Sequence, residues 1–358
     1  MSLARSIASL LSGGGGALLP SNNLSDISNA ATALSNLGGV SNTSQIAGNR
    51  NKIINGGMAI DQRNAGAVTT DGAFPADRFQ SYNTGTGSCQ RIAMSNPPEV
   101  SGFSHYLKFI RTGSGSSYSF ISQKIENVKY LSGKQMTLSF YIKGDVINAS
   151  GFTVWSEAWK DDGTFIAYGP NNGTPFTITS TWTRVSMRMD VPVISVDPGA
   201  VGGFFRIFLR CSSATENFNI STTGWQWEEG TVATPFENRL YGTELALCQR
   251  YYYKTAGNQY SFFGWGKGYT TGNGQFVLPL PVTMRVIPSL GYSALSDVFL
   301  ETGATAVQSI TGLAINGSVT TNSLGFDVSK TGAFTAGALY WLIANNLTTA
   351  YIAASAEL

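Results

Sequence analysis

Charge is what this sequence has least of. Asp, Glu, Lys and Arg together make up 12% of its 358 residues, about half the roughly one quarter usual in globular proteins. Net charge is +2 and no run of lysines or arginines occurs, so the chain shows no electrostatic footprint for a nucleic acid or an anionic membrane. Histidine occurs once, as His105. No GxSxG, HExxH, Walker or complete GxGxxG pattern is present, and His105 reads as structural. Cysteine occurs three times, as Cys89, Cys211 and Cys248. An odd count without CxxC spacing argues against a disulfide framework and a zinc site, and leaves buried free thiols. No apolar run approaches the ~18 residues of a membrane span. The first apolar stretch is broken by Ser6 and Ser9 and ends at Gly13 to Gly16. It is too short for a secretory signal, so release by cell lysis is expected rather than export.

Hydrophobic residues, in contrast, are plentiful at 42%, and Gly reaches 41. Ser, Thr and Asn supply most of the remaining polarity. A filled core under a neutral surface rich in hydroxyls and amides suits an extracellular adhesin or a virion component. Leu3, Ile7, Leu10 and Leu11 stand at helical spacing ahead of the four glycines, which read as a hinge. Leu24, Ile27, Ala31, Leu34 and Leu37 then form an apolar stripe closed by Gly38 as a C-cap. A helix this short is marginal alone. It becomes stable if several copies share the stripe in a small bundle; one helix packed on a neighbouring domain is the alternative.

From Asn51 to Arg239 the period changes to two, with Gly, Pro, Asn and Asp at the breaks. Met136 to Lys143 alternates cleanly. Val185, Met187, Met189 and Val191 point one way from Arg184, Ser186, Arg188 and Asp190. Phe205, Ile207, Leu209 and Cys211 share one face; Phe204, Arg206, Phe208 and Arg210 share the other. Such strands without a long amphipathic helix predict a mainly β chain whose residues 51–239 form an antiparallel, jelly-roll-like β-sandwich. Residues 240–358 predict a second β-rich domain, from Tyr251–Tyr253, Phe276–Leu278, Val282–Ile287 and Leu339–Ile343.

Two aromatic groups are candidate binding sites. If Phe152, Val154, Ser156 and Ala158 face the core, Trp155, Glu157 and Trp159 share the opposite face. Arg206 and Arg210, and by the same alternation Gln226 and Glu228, leave the core faces of their strands. A groove of Trp155, Glu157, Trp159, Arg206, Arg210, Gln226 and Glu228 would combine aromatic platforms for sugar C–H faces with polar partners for hydroxyls. The alternative for these side chains is structural packing or a subunit interface. The second candidate is a Gly-rich loop, Gly257 to Gly274, carrying Tyr260, Phe262, Phe263, Trp265 and Tyr269, where burial between subunits is the competing reading. Glycoside hydrolysis would need two flanking carboxyl groups. Glu157 with Asp161 or Asp162, and Glu228 with Glu229, are the suggestive pairs. However, Asp161-Asp162-Gly163 reads as a turn, and adjacent strand residues point oppositely.

Several segments carry a resemblance. Asn22 to Gly39 resembles a short segment, NLSDLxNxxTAxxNLG, common in phage tail fibres. Asn51-Lys52-Ile53-Ile54-Asn55-Gly56-Gly57-Met58-Ala59-Ile60-Asp61-Gln62-Arg63-Asn64 resembles the opening of a β-sandwich module of the carbohydrate-binding type. Trp225-Gln226-Trp227-Glu228-Glu229-Gly230 with Ala233-Thr234-Pro235-Phe236-Glu237 is similar to its close. Two of those positions, Trp225 and Trp227, are usually aliphatic in the family, which implies a locally repacked core. Glu244 to Tyr252 and Pro281 to Arg285 resemble the C-terminal domain that often follows this module in fibres.

The resemblance implies a homotrimeric tail fibre in the virion that docks on phage baseplate or tail proteins through residues 1–50. Its partner would be a host surface polysaccharide or lipopolysaccharide. The chain is expected to be a non-enzymatic adhesin, without cofactor, metal or membrane insertion. The alternatives are a glycan-cleaving tail spike and a purely structural baseplate or collar protein. Light scattering of the purified chain should give about three times 38.1 kDa, and a monomer at micromolar concentration would refute the trimer.

Overall fold

The computed structural model describes residues 50–358 except 64–65, 97, 116–117, 147–151, 197–202, 256 and 302–306. The helical segments expected before Arg50 lie outside the described residues. Asn51–Leu358 forms one compact unit, which contains two hydrophobic cores.

Two antiparallel sheets enclose the first core. One runs β1 (Gln80–Asn83), β4 (Ser119–Glu126), β10 (Phe204–Cys211), β6 (Phe152–Trp159), β7 (Phe165–Tyr168), with β8 (Thr174–Pro175) also on β6. The other runs β2 (Gly87–Ala93), β3 (His105–Arg111), β11 (Phe218–Glu229), β5 (Met136–Val146), β9 (Thr183–Arg188). The chain is mainly β and forms the antiparallel sandwich that the alternation predicts. Phe205, Ile207, Leu209 and Cys211 of β10 and Met136, Leu138, Phe140 and Ile142 of β5 all lie in the core. Each large apolar side chain removed from water there contributes roughly 1.5–3 kcal/mol.

Trp225 and Trp227 are core residues, as the departure from the family pattern implied. The Trp227 ring stacks on Phe205 at 5.0 Å between centroids and Trp225 stacks on Phe140 at 4.7 Å. Both indole N–H groups are satisfied, by Met189 O at 2.9 Å and Thr222 Oγ1 at 2.8 Å. The three cysteines are free and buried. Burial raises all three thiol pKa values, which removes them as nucleophiles.

The opening and closing segments of the sandwich are bonded to each other. Asn51 donates from Nδ2 to Trp225 O at 2.9 Å and accepts from Trp227 N at 3.0 Å. Lys52 N donates to Trp227 O at 2.8 Å, and Arg239 binds the carbonyls of Ile53 and Asn51. Motifs more than 170 residues apart are thus one structural feature.

After the helix α1 (Tyr241–Gln249), a three-stranded sheet β12 (Tyr252–Lys254), β21 (Ile352–Ser355), β15 (Ser289–Tyr292) leads into a seven-stranded one. Its order is β17 (Val307–Ser309), β16 (Val298–Glu301), β20 (Leu339–Ala344), β13 (Phe262–Gly268), β14 (Asn273–Pro279), β19 (Ser323–Ser329), β18 (Gly312–Ile315). Val282 to Ile287, expected as β, runs instead as bends and irregular chain. Pro281 and Pro288 bracket it, and proline lacks the donor that a ladder needs; Met284 still anchors it in the second core.

A polar seam joins the two cores. Arg78, 3% exposed, forms an ion pair with Glu357, donates to Lys124 O at 2.6 Å, and lies 3.4 Å from the Tyr251 ring centroid. Burial is the largest single influence and opposes its charge, but Glu357, Tyr251 and Cys248 together outweigh it and raise the guanidinium pKa. Arg63 bridges Glu357 at 2.9 Å and Asp77 at 3.1 Å, and Arg250 pairs with Glu126 at 2.9 Å. Removing one partner of a buried pair strands the other charge. Glu357→Gln should therefore lower unfolding stability by about 3–5 kcal/mol, measured from denaturant midpoints at pH 7. A loss below about 1 kcal/mol, the ceiling for most surface pairs, would show that the seam is not what joins the cores.

Candidate functional site

The outer face of the β1-β4-β10-β6-β7 sheet gathers the first candidate residues. β10 pairs with β6 so that Arg206 stands opposite Glu157, Phe208 opposite Trp155, and Phe204 opposite Trp159. On its other side β10 sets Arg210 opposite Phe120 and Arg206 opposite Lys124 of β4. An aromatic band crosses the sheet. Tyr82 stacks on Phe120 at 5.1 Å, Phe120 meets Phe208 at 5.5 Å, and Trp155 meets Tyr168 edge-on at 6.1 Å. Further along β6, Trp159 packs between Phe204 at 6.3 Å and Phe165 at 5.4 Å. Phe120 and Phe208 at its centre are each only 6% exposed, whereas Tyr168 is 59% and Phe165 41% exposed, so the open rings of the band lie at β7. Thr153 and Trp159 of β6 are six positions apart, about 20 Å at the rise of a strand. That length accommodates several sugar rings.

Two arginines flank the band and differ in their partners. Arg206 lies 4.5 Å from the Phe120 ring centroid, donates to Ser122 Oγ at 3.2 Å, and stands 3.5 Å from the Glu157 carboxylate. Arg210 lies between two rings, 4.2 Å from Tyr118 and 4.8 Å from Trp155. The Trp155 indole is itself fixed by donating to Thr153 Oγ1 at 2.9 Å. Lys124 contacts the Phe204 ring at 4.8 Å and donates to Leu358 O at 2.7 Å. Burial lowers its pKa to about 8, and the positive charges of Arg206 and Arg78 act the same way.

Five of the seven residues expected in this groove, Trp155, Glu157, Trp159, Arg206 and Arg210, therefore share one face. Gln226 and Glu228 do not. They lie on β11 in the opposite sheet, 0% and 1% exposed, beneath the returning chain at residues 234–237. Glu228 accepts from Thr234 N at 2.8 Å and Thr234 Oγ1 at 2.6 Å, and Gln226 accepts from Glu237 N at 2.7 Å. They point away from the core as alternation requires, but a covering segment buries that side too. Tyr82, Tyr118, Phe120, Lys124, Phe208, Phe165 and Tyr168 complete the face. The alternation of Phe120, Ser122 and Lys124 against Ile121, Gln123 and Ile125 was the available signal for β4.

The second candidate is also corrected. Gly257 to Gly274 is not a loop throughout: residues Phe262–Gly268 form β13 and pair with β14 and β20. Phe263 is a core residue at 1% exposure. Tyr260, Phe262, Trp265 and Tyr269 are exposed, and Trp265 stands opposite Trp341 of β20. Glycine at 264, 266 and 268 here serves strand packing; a Cβ on Gly266 would lie 2.2 Å from Gln275 O.

The carboxylates weighed for hydrolysis are engaged elsewhere. Glu157 faces Arg206, Asp161 lies 3.8 Å from Arg285, and Asp162 accepts from Thr164 N at 2.8 Å. Asp161 to Gly163 is the turn expected, with Gly163 at φ +83°. Among the described residues no cluster of three His, Cys, Asp or Glu side chains is placed to hold a metal ion. No helix among them is long and apolar enough to cross a membrane.

Comparison with known proteins places solved structures beside this chain, whereas no family model and no curated protein matches it. The enzymatically active domain of bacteriophage CBA120 tailspike protein 4 is similar at 15% identity and TM-score 0.34, over 51% of this chain and 22% of that one. A carbohydrate-binding module of the β-sandwich superfamily is similar at 15% identity and TM-score 0.32, over 47% and 63%. A cyclase from Fischerella sp. TAU follows at 12% identity and TM-score 0.35, over 50% and 96%. The chain thus matches less than two thirds of the length of the first two. The expectation of a non-enzymatic chain is corrected by this finding, because the similar structures include an enzymatically active tailspike domain and a cyclase.

The depressed Lys124 pKa sets a pH dependence. The folded chain releases this proton near pH 8, the unfolded chain near 10.5. Between those values the unfolded state binds more protons, so Lys124's contribution to stability rises with pH and is lost as pH falls through 8. The stability of the wild type relative to Lys124→Met should therefore be flat below pH 8 and rise from 8 to 10.5. Urea midpoints across that range test this, and a difference that stays flat throughout would mean an amine titrating normally.

Proposed function

We propose that this chain is a glycan-binding component of a phage tail fibre, and that the outer face of the β1-β4-β10-β6-β7 sheet is where the glycan lies. The observation that carries the glycan reading is the aromatic band from Tyr82 to Tyr168 with arginines on both flanks. Pyranose rings present apolar C–H faces that stack on such rings. Their hydroxyls bond to groups such as the Glu157–Arg206 pair, oriented before ligand arrives. The fibre reading is supported by the order of the family-like segments along the sequence. On it, the chain works as a homotrimer in the virion, docks on the tail or baseplate through residues 1–50, and recognises a host polysaccharide or lipopolysaccharide. Trimerisation would also turn weak single sites into useful avidity.

A second surface competes for the role. The seven-stranded sheet exposes Phe262, Trp265, Leu339 and Trp341 side by side on β13 and β20. Its paired indoles match an apolar sugar face as well, with Lys267 on the same side of β13.

Replacing Trp155 by Ala should reduce adsorption of virions to host cells, and affinity for host polysaccharide, by about tenfold or more per site. Its thermal midpoint should shift by only a few degrees, because the ring is on the outside of the sheet. Trp265→Ala serves as the comparison and should adsorb normally. The opposite pattern, normal adsorption by Trp155→Ala and loss by Trp265→Ala, would move recognition to the C-terminal sheet.

A further inference from the structure

On the reading of this face as a glycan surface, we infer that its ligand is acidic, and that Arg210 receives the oxyanion of a charged sugar. The two flanking arginines differ in what they already hold. Arg206 already has Glu157 at 3.5 Å and Ser122 Oγ at 3.2 Å. Arg210 faces Phe120 on one neighbouring strand and Thr153 on the other. Among the described residues its guanidinium makes no hydrogen bond and no ion pair, and its Nε is buried without an acceptor.

A guanidinium carries five N–H donors and no acceptor. Withdrawing it from water without a partner is unfavourable, and its stacking between Tyr118 and Trp155 offsets this without using a single N–H. The two rings restrain the planar fork, and a guanidinium fork suits bidentate contact with a carboxylate, sulfate or phosphate. A lysine would supply charge but not the planar fork.

The surroundings favour an anion over a hydroxyl. Lys124, Arg206 and Arg210 lie on this face, while Glu157 is drawn to Arg206 and Glu126 to Arg250. The balance along the band is positive. Trp155 lies next to Arg210 and meets Tyr168, so a sugar ring stacked on Trp155 places its charged substituent within reach of the fork. Arg210 thus sets specificity by charge, and the aromatic band supplies the contact that any sugar ring would make.

The test is direct binding by the full chain at 0.15 M salt, roughly the physiological ionic strength, to matched polysaccharide pairs. Galacturonan, hyaluronan and polysialic acid are each compared with their carboxyl-reduced forms, and dextran sulfate with dextran. The wild type should bind at least one acidic member about tenfold or more tightly than its neutral counterpart, and which pair responds distinguishes carboxylate from sulfate. Arg210→Gln should abolish that preference while keeping the weak neutral binding, and Arg210→Lys should keep part of it. Thermal unfolding shows whether each variant is folded. If Arg210→Gln is not, the wild-type preference and the Arg210→Lys variant still decide. Equal affinity for acidic and neutral members, or an unchanged preference in Arg210→Gln, would overturn the inference and leave glycan binding standing. Failure to bind any member of either set would remove the glycan reading itself.

Discussion

A guanidinium buried at 3% exposure has to be neutralised where it stands, and Arg78 meets that requirement with a carboxylate 279 residues away in the sequence. Glu357 follows β21, and Arg63 shares it. The second core is therefore held to the first by its own final segment. Everything that touches this cluster inherits its placement. Tyr251 and Tyr252 cover the two arginines with their rings. Lys124 receives Arg78 on its carbonyl while its amine reaches Leu358 O. Because Lys124 sits on β4, the seam reaches directly into the sheet that carries the candidate surface.

The candidate surface itself depends on register. A one-residue slip of β6 against β10 would turn Trp155, Glu157 and Trp159 into the core and expose Val154 and Ala158. That slip is blocked because both strands bury one complete face: Phe205, Ile207, Leu209 and Cys211 on β10, and Phe152, Val154 and Ala158 on β6. The same constraint that builds the core places Arg206 opposite Glu157. Arg210, four residues further along the same strand face, meets aromatic rings. The charge asymmetry across the band is a consequence of core packing and was not separately arranged.

Parts of this were legible from residue order. The period-two alternation of Phe204 to Cys211 and Phe152 to Trp159 shows which side chains share a face, because successive strand residues point oppositely whatever they pair with. Trp155, Glu157, Trp159, Arg206 and Arg210 follow from it. Gln226 and Glu228 obeyed the same rule and still left the site, because alternation gives direction and not cover. The chain at residues 234–237 folds back over them, and a covering segment has no period to detect. Likewise, the glycines between Gly257 and Gly274 suggested a loop. They permit close strand approach equally well, as Gly266 against Gln275 does.

By itself, then, the sequence determined the β character, the core phase of each regular strand and the aromatic content of the binding candidates. These rest on local geometry and the hydrophobic effect, both of which repeat with strand period. It also placed the opening motif at Asn51 and the closing motif at Trp225, which the fold joins by hydrogen bonds. Only the tertiary structure decided which outward faces remain open and which arginine is already paired. Only the tertiary structure brought Glu357 to Arg78. Such facts depend on contacts between residues a hundred or more positions apart, where no periodicity connects one partner to the other and only the closed core determines who meets whom.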